Sequence, residues 1–322
     1  MQLEFGVIGL GRMGGGLAYQ ALGKGMRVVG RDVAPATDEL KEAGLIETSS
    51  LKDLVNKLCA PRVIFLYIHA GPPIDEMLEA LAEIVSPGDI LVDGGNSYWG
   101  DSIRRQKWLH EKGIHLIDLG TSGGIGGARN GACFMAGGLP VAVEQVEPIL
   151  EQLCVAGGYV YAGGPGAGHY VKLVHNGIEF GMLQAIGEGI DLLEKFDEKL
   201  PVADVISCWR NGSVIRSWLV DLMHHAYLEK DGLESVPAYI EDTGEVNWLV
   251  GDAMRMEVPI PVIAQSVMQL FASRDAKKDW AKAIAMMRNG FGGHPYGPNE
   301  FIRHERVTSR VGDIYRPSPS EE

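Results

Sequence analysis

Lys172, His175, Asn176 and Glu179 stand at i, i+3, i+4 and i+7 within the stretch GAGHYVKLVHNGIE. At about 3.6 residues per turn they share one face of a helix. A lysine without its proton is a base, a protonated glutamate is an acid, and histidine and asparagine both donate and accept hydrogen bonds. Val171, Leu173, Val174 and Ile178 fill the other directions, so the helix is expected to be buried on most sides. Charged groups on such an element must be paired, solvated by a cleft, or catalytic. An ion pair between Lys172 and Glu179 is the plainer reading. Four polar groups converging on one face are costly to bury idly, which favours a site. Gly166 and Gly168, just ahead, let the backbone come close to a neighbour before the helix begins.

The elements that must position this face begin at the N-terminus. Residues 4–8 are a short apolar run, followed at once by Gly9-Leu10-Gly11-Arg12-Met13-Gly14, a helix-like stretch 15–22, and a second apolar run, 27–29. This is the dinucleotide fingerprint in its proper context of strand, glycine turn, helix and strand. The first glycine serves the tight turn, the second the approach of a pyrophosphate, the third helix packing. Asp32 closes the second strand, where a carboxylate can hold ribose hydroxyls and repel a 2′-phosphate. Arg31 could serve a 2′-phosphate, but strand alternation points it away from the Asp32 side, and residues 33–36 supply no cation. NAD is therefore the expected cofactor, bound by Gly9 to Gly14 and Asp32.

Further strands are expected at 63–68, 90–93 and 115–119, alternating with helices near 38–43, 50–59, 74–85, 100–112 and 143–153. Such alternation predicts an α/β fold with a mostly parallel, doubly wound sheet. Ligands then sit at the carboxyl ends of the strands, here carrying Ile68-His69-Ala70-Gly71, Asp93-Gly-Gly-Asn96-Ser97 and Gly120-Thr-Ser122-Gly123-Gly124. After Gly168 the rhythm changes to apolar-periodic stretches near 169–196, 202–210, 213–229, 246–254, 261–273 and 276–288. The expected organisation is a Rossmann domain over 1–165, an all-α domain over 166–311 and a tail over 312–322. Arg288 and His294 flank a glycine turn that can present two cations to an anion; a helix C-cap is the plainer reading of that segment.

The chain has 322 residues, 42 acidic against 29 basic, and a formal net charge of −13. That balance argues against nucleic acid and acidic membranes as partners. Cys59, Cys133, Cys154 and Cys208 show no paired spacing, which fits a reducing compartment and neither a disulfide framework nor a zinc site. No apolar run approaches membrane length and no leader pattern opens the chain, so a cytoplasmic location is expected, with no metal.

The segments GLGRMG, DGGNS, GTSGG, GAGHYVKLVHNGIE and RNGFGGH, in this order, resemble decarboxylating 6-phosphogluconate dehydrogenase, one of the β-hydroxyacid dehydrogenases. The length resembles the short-chain form of that family. The resemblance implies oxidative decarboxylation of 6-phosphogluconate to ribulose 5-phosphate, with Lys172 as general base on the carbon-3 hydroxyl and Glu179 protonating the enediol. It implies sugar-acid contacts from Asn96, Ser122, Gly123, Gly124, His175 and Asn176, with Asn96 also beside the cofactor. Arg288 and His294 match a segment that in the family reaches a partner subunit's substrate, so a homodimer is expected by analogy. Arg216 resembles a phosphate-binding arginine of the longer enzymes only loosely. Two departures fall at the phosphate end: Phe180 stands where relatives carry a tyrosine, and Asn247 where they carry a cation. Each lost contact is worth about 1–3 kcal/mol unless replaced. Either Arg216, Arg288 and His294 compensate, or the substrate is a related acid with a different distal group. A non-decarboxylating β-hydroxyacid dehydrogenase is the alternative function.

Overall fold

A computed structural model describes residues 2–308, so the expected tail at 312–322 lies outside the described residues. Its strands are β1 (Glu4–Ile8), β2 (Arg27–Arg31), β3 (Ile46–Glu47), β4 (Val63–Leu66), β5 (Ile90–Asp93), β6 (His115–Ser122), β7 (Ala132–Gly138) and β8 (Cys154–Gly163). They form one sheet in the order β3-β2-β1-β4-β5-β6-β7-β8, parallel except where β6 meets β7. Between them lie α1 (Arg12–Gly23), α2 (Asp38–Glu42), α3 (Leu51–Asn56), α4 (Pro72–Ala82), α5 (Trp99–Glu111), α6 (Gly124–Asn130) and α7 (Pro140–Leu153). The rest of the described chain is helical: α8 (Ala167–Glu194), α9 (Val202–Arg210), α10 (Trp218–Lys230), α11 (Glu245–Arg255), α12 (Pro261–Arg274), α13 (Asp279–Gly292) and α14 (Glu300–Thr308). The fold is the expected one, a Rossmann-type doubly wound sheet followed by helices.

The central strands β1, β2, β4, β5 and β6 are buried on both faces, whereas the edge strand β8 is largely exposed. Val7, Val28, Phe65, Val92 and Ile117 pack into one apolar layer, and their neighbours Ile8, Val29, Leu66, Leu91 and Leu116 into another. Two-residue alternation puts adjacent strand residues on opposite faces, and helices cover each. Because β1 lies centrally and the chain leaves it first one way and then the other, the strand order reverses between β1 and β4. Crevices at such switch points are where nucleotides bind.

Two compact units emerge. One comprises Met1–Ile178 together with Gly244–Pro259, so α11 groups with the sheet although it follows the helical segments in sequence. The other comprises Glu179–Thr243 and the described residues from Ile260 onward. Its core is small, built on Ile190, Val202, Ile206 and Val220. Helix α8 departs from expectation in one respect: Leu173 is buried and Val174 half-buried, but Val171 and Ile178 are exposed.

Candidate active site

The glycine turn after β1 distinguishes its three glycines by what surrounds them. Gly9 has φ +93°, and a Cβ there would lie 2.3 Å from the Tyr67 carbonyl oxygen; one on Gly14 would lie 2.0 Å from that of Gly9. A Cβ on Gly11 would meet nothing within 4 Å. Packing therefore demands the outer two, while the middle one leaves space at the head of α1, which begins without a side-chain cap. Backbone amides and the positive end of a helix dipole at an open turn fit a pyrophosphate. Asp32 latches the turn, accepting the Leu10 amide at 2.5 Å on one carboxylate oxygen and the Ala34 amide at 3.2 Å on the other. Each oxygen keeps a lone pair for a ribose hydroxyl. Arg12 is exposed and Met13 half-buried on the first turn of α1.

Three more glycines set the seat of α8. A Cβ on Gly120 would lie 2.6 Å from Lys172 Cβ, one on Gly137 2.4 Å from the Gly168 nitrogen, and one on Gly168 2.2 Å from the Asp118 carbonyl oxygen. The helix thus lies flush on β6 and β7, and the stem of Lys172 crosses the sheet at Gly120. The close approach expected of Gly166 and Gly168 is an approach to protein: a Cβ on Gly166 would lie 2.9 Å from the Trp99 carbonyl oxygen.

Buried polar groups lock this seat. Asp118 accepts the amides of Gly166 at 2.8 Å and His169 at 2.9 Å, capping the head of α8 from the sheet. Burial pushes the Asp118 carboxyl above its ordinary value, against the pull of His169 and the two amides. His169, also buried, donates from Nε2 to the Asp93 carbonyl at 3.1 Å, and its Nδ1 lies 2.8 Å from the Ser102 hydroxyl. The Asp93 carboxylate accepts from the Gly95 amide at 3.1 Å and the Ser97 hydroxyl at 2.7 Å, fixing the base of the loop that carries Asn96. Beneath it Arg105 lies fully buried, paired through Nε and a terminal nitrogen with Asp75 at 2.9 and 3.1 Å. The Arg105 hydrogen bond holds the Asp75 carboxyl below the usual range despite partial burial, which acts the other way. Tyr67 packs its ring against Gly94 and reaches the Thr121 hydroxyl at 3.1 Å; burial pushes its phenol upward, so it stays neutral.

On this platform the polar face forms a connected cluster. Ser122 Oγ lies 3.0 Å from His175 Nε2. His175 Nδ1 lies between Lys172 Nζ at 3.4 Å and Asn176 Oδ1 at 3.3 Å. Bare, that nitrogen accepts from Lys172; protonated, it donates to Asn176. Asn176 is buried, whereas Lys172 and His175 are half-buried. Gly123 (φ +114°) and Gly124 (φ +59°) make the turn into α6 just beyond Ser122. Asn96 donates through Nδ2 to Glu245 Oε1 at 2.6 Å.

One unit thus gathers the Gly9–Gly14 turn, Asp32, Asn96, Ser122, Gly123, Gly124, Lys172, His175 and Asn176 at the carboxyl ends of β1, β2, β5 and β6. The other unit carries Glu179 and Phe180, half-buried on the continuing α8, and the exposed Arg216 ahead of α10. It also carries Arg288 and His294, 3.5 Å apart beside a left-handed C-cap at Gly293 (φ +62°). The plainer reading of that glycine turn, a C-cap, therefore describes its backbone. Sequence reasoning missed Asp118, His169, Tyr67 and Glu245. His169 was the most findable, since it stands inside the same motif as Lys172. Among the described residues no group of three or more His, Cys, Asp or Glu could hold a metal ion, and no helix is long and apolar enough to cross a membrane.

A glycine turn fit for a pyrophosphate, on the same sheet as a lysine, histidine and asparagine cluster, is the arrangement expected of a nicotinamide-dependent oxidoreductase. Comparison narrows the class. The sequence profile of the NAD binding domain of 6-phosphogluconate dehydrogenase matches residues 4–163, and that of the 6-phosphogluconate dehydrogenase C-terminal domain matches residues 168–304. The chain belongs to the 6-phosphogluconate dehydrogenase family. It is 41% identical over 293 residues to YqeC of Bacillus subtilis (strain 168), provisionally named a 6-phosphogluconate dehydrogenase, covering 91% of this chain and 98% of that one. It is 37% identical over 295 residues, with the same coverage, to the Haloferax volcanii protein named NAD(+)-dependent, decarboxylating 6-phosphogluconate dehydrogenase. Among solved structures, the 6-phosphogluconate dehydrogenase of Plasmodium falciparum, studied with NADP+ and with 6-phosphogluconate, superposes with a TM-score of 0.76. That match has 28% identity and covers 92% of this chain and 67% of the other.

Proposed function

We propose that this chain oxidises and decarboxylates 6-phosphogluconate to ribulose 5-phosphate and carbon dioxide, with NAD as the oxidant. The observation that carries the reading is the linked set Ser122, His175, Lys172 and Asn176, seated on the sheet beside the nucleotide turn. NAD, held by Gly9 to Gly14 and Asp32, supplies the two-electron acceptor for the carbon-3 hydrogen. Lys172 takes the proton of the carbon-3 hydroxyl as that carbon is oxidised. The bond from carbon 2 to the carboxylate then breaks, carbon dioxide leaves, and its electron pair passes into an enediol. Lys172, now protonated, returns its proton to the carbon-3 oxygen as negative charge develops there. Glu179 protonates the enediol at carbon 1 of the product while Lys172 takes back the proton of the carbon-2 hydroxyl, leaving the ketone. His175 Nδ1, when bare, accepts from Lys172, so the tautomer of the ring is coupled to the proton on the base. Asn96, Ser122, Gly123, Gly124 and Asn176 bind and orient the sugar acid.

The NAD preference draws on Asp32, the lack of a cation at 33–36 and the printed cofactor of the Haloferax relative; the Plasmodium enzyme was studied with NADP+. Asp32 so close to the turn would crowd a 2′-phosphate with like charge. Catalytic efficiency with each cofactor checks this, and a higher value with NADP contradicts it. The same reading places Arg288 and His294, with Arg216, at the phosphate end, contributed within a homodimer. Phe180 and Asn247 make that end the one most in need of test. A rate assay with NAD on 6-phosphogluconate against gluconate tests substrate and reaction together. Efficiency on the phosphorylated acid at least about a hundredfold higher is expected, the worth of about two charge-assisted contacts. Equal rates would point to an acid with a different distal group.

A further inference from the structure

Glu245, the first residue of α11, accepts the Asn96 side-chain amide at 2.6 Å across 149 residues of sequence. A carboxamide donates from its nitrogen and accepts on its oxygen, and its two ends differ little in shape. What fixes the orientation is a partner able to take only one end. An ionised carboxylate accepts and cannot donate, so Glu245 selects the nitrogen and turns Asn96 Oδ1 the other way. The helix that carries Glu245 is itself tied to the start of α5 by contacts that do not involve Asn96. Trp99 Nε1 donates to Asp252 at 2.7 Å, Tyr98 meets Trp248 edge-on at 5.5 Å between ring centres, and the Arg255 guanidinium lies 5.8 Å from the Trp99 ring centre. With the base of the loop held by Asp93, both partners are ordered before any ligand arrives.

We propose that Glu245 is a positioning residue that orients Asn96 so that its carbonyl oxygen meets a hydroxyl of a polyol acid. The proposal rests on the reading above, in which Asn96 touches the substrate. It assigns a task to a residue of the α11 head that the family comparison at Asn247, two positions on, passes over.

The test is a double-mutant cycle on the full chain, with rates on 6-phosphogluconate and NAD and thermal midpoints measured together. Glu245→Ala is expected to lower kcat/KM about tenfold, mostly through KM, the scale of one net hydrogen bond. Glu245→Gln, which keeps an acceptor but can take either end of the carboxamide, recovers only part of that loss. In an Asn96→Ala background, Glu245→Ala changes kcat/KM less than twofold, because the group it orients is gone. Trp99→Phe, which removes the bond to Asp252, lowers the thermal midpoint. A Glu245→Ala loss that persists in full without Asn96, or no loss at all, overturns the proposal. A wild type inactive on 6-phosphogluconate speaks against the proposed reaction, whereas an active wild type indifferent to Glu245→Ala speaks against Glu245 alone.

Discussion

The seat of α8 and the far helices carry their candidate residues in opposite ways. Around Lys172 the backbone is clamped by Gly120, Gly137 and Gly168, and each turn of the helix head meets a buried acceptor or ring. Around Arg288 the helix α13 buries no residue, and Trp280 and Phe291 stand exposed at 61% and 75%. The first region positions its chemistry with its own fold. The second offers cations on an element whose apolar side chains have little to pack against within its unit. Acid–base work needs groups held to a fraction of an ångström, whereas recognition of a distal anion tolerates a looser mount.

That contrast can be broken at several points. The largest effect is expected from Lys172→Met, which should cut turnover at least about a thousandfold while NADH binding, followed by fluorescence, persists. Retained turnover would remove Lys172 from its role. Next, Gly168→Ala should push α8 off the sheet, since the added carbon meets the backbone of Asp118 and Met135. A cost of about 1–3 kcal/mol in denaturant unfolding is expected, with activity falling too. An indifferent variant would mean the seat is not tight. Arg288→Ala should behave oppositely, changing stability by less than about 0.5 kcal/mol but raising KM for 6-phosphogluconate about tenfold. An unchanged KM would leave the distal anion to other residues.

The smallest expected effect concerns pH. Asp75 is depressed in the folded chain by Arg105, so its contribution is present above its unfolded value of about 3.9 and lost as pH falls through the folded one. Asp75→Asn should therefore flatten the loss of stability in acid below about pH 4. An unaltered acid limb would contradict that coupling.

Much of this was legible in the sequence. The Gly9–Gly14 turn was readable because packing demands Gly9 and Gly14 and leaves Gly11 open, so spacing and function coincide. The face of Lys172, His175 and Asn176 was readable from helical period alone. Strands β7 and β8 were not, because ACFMAGG and CVAGGYVYAG carry glycines that read as loops, although two of them admit α8 to the sheet edge or turn the chain out of it. Arg105 sits in a charged stretch that looks like a solvated helix face, and only the fold reveals Asp75 and Asp93 beside it. Glu245 was invisible for a topological reason: its partner is 149 residues away, and local pattern carries no information at that range.

The central claim is that oxidation at this site is tied to loss of the carboxylate. The direct measurement is carbon dioxide released per NADH formed, by wild-type chain on 6-phosphogluconate. One carbon dioxide per NADH is expected. NADH formed without carbon dioxide would contradict the account and make the chain a plain hydroxyacid dehydrogenase.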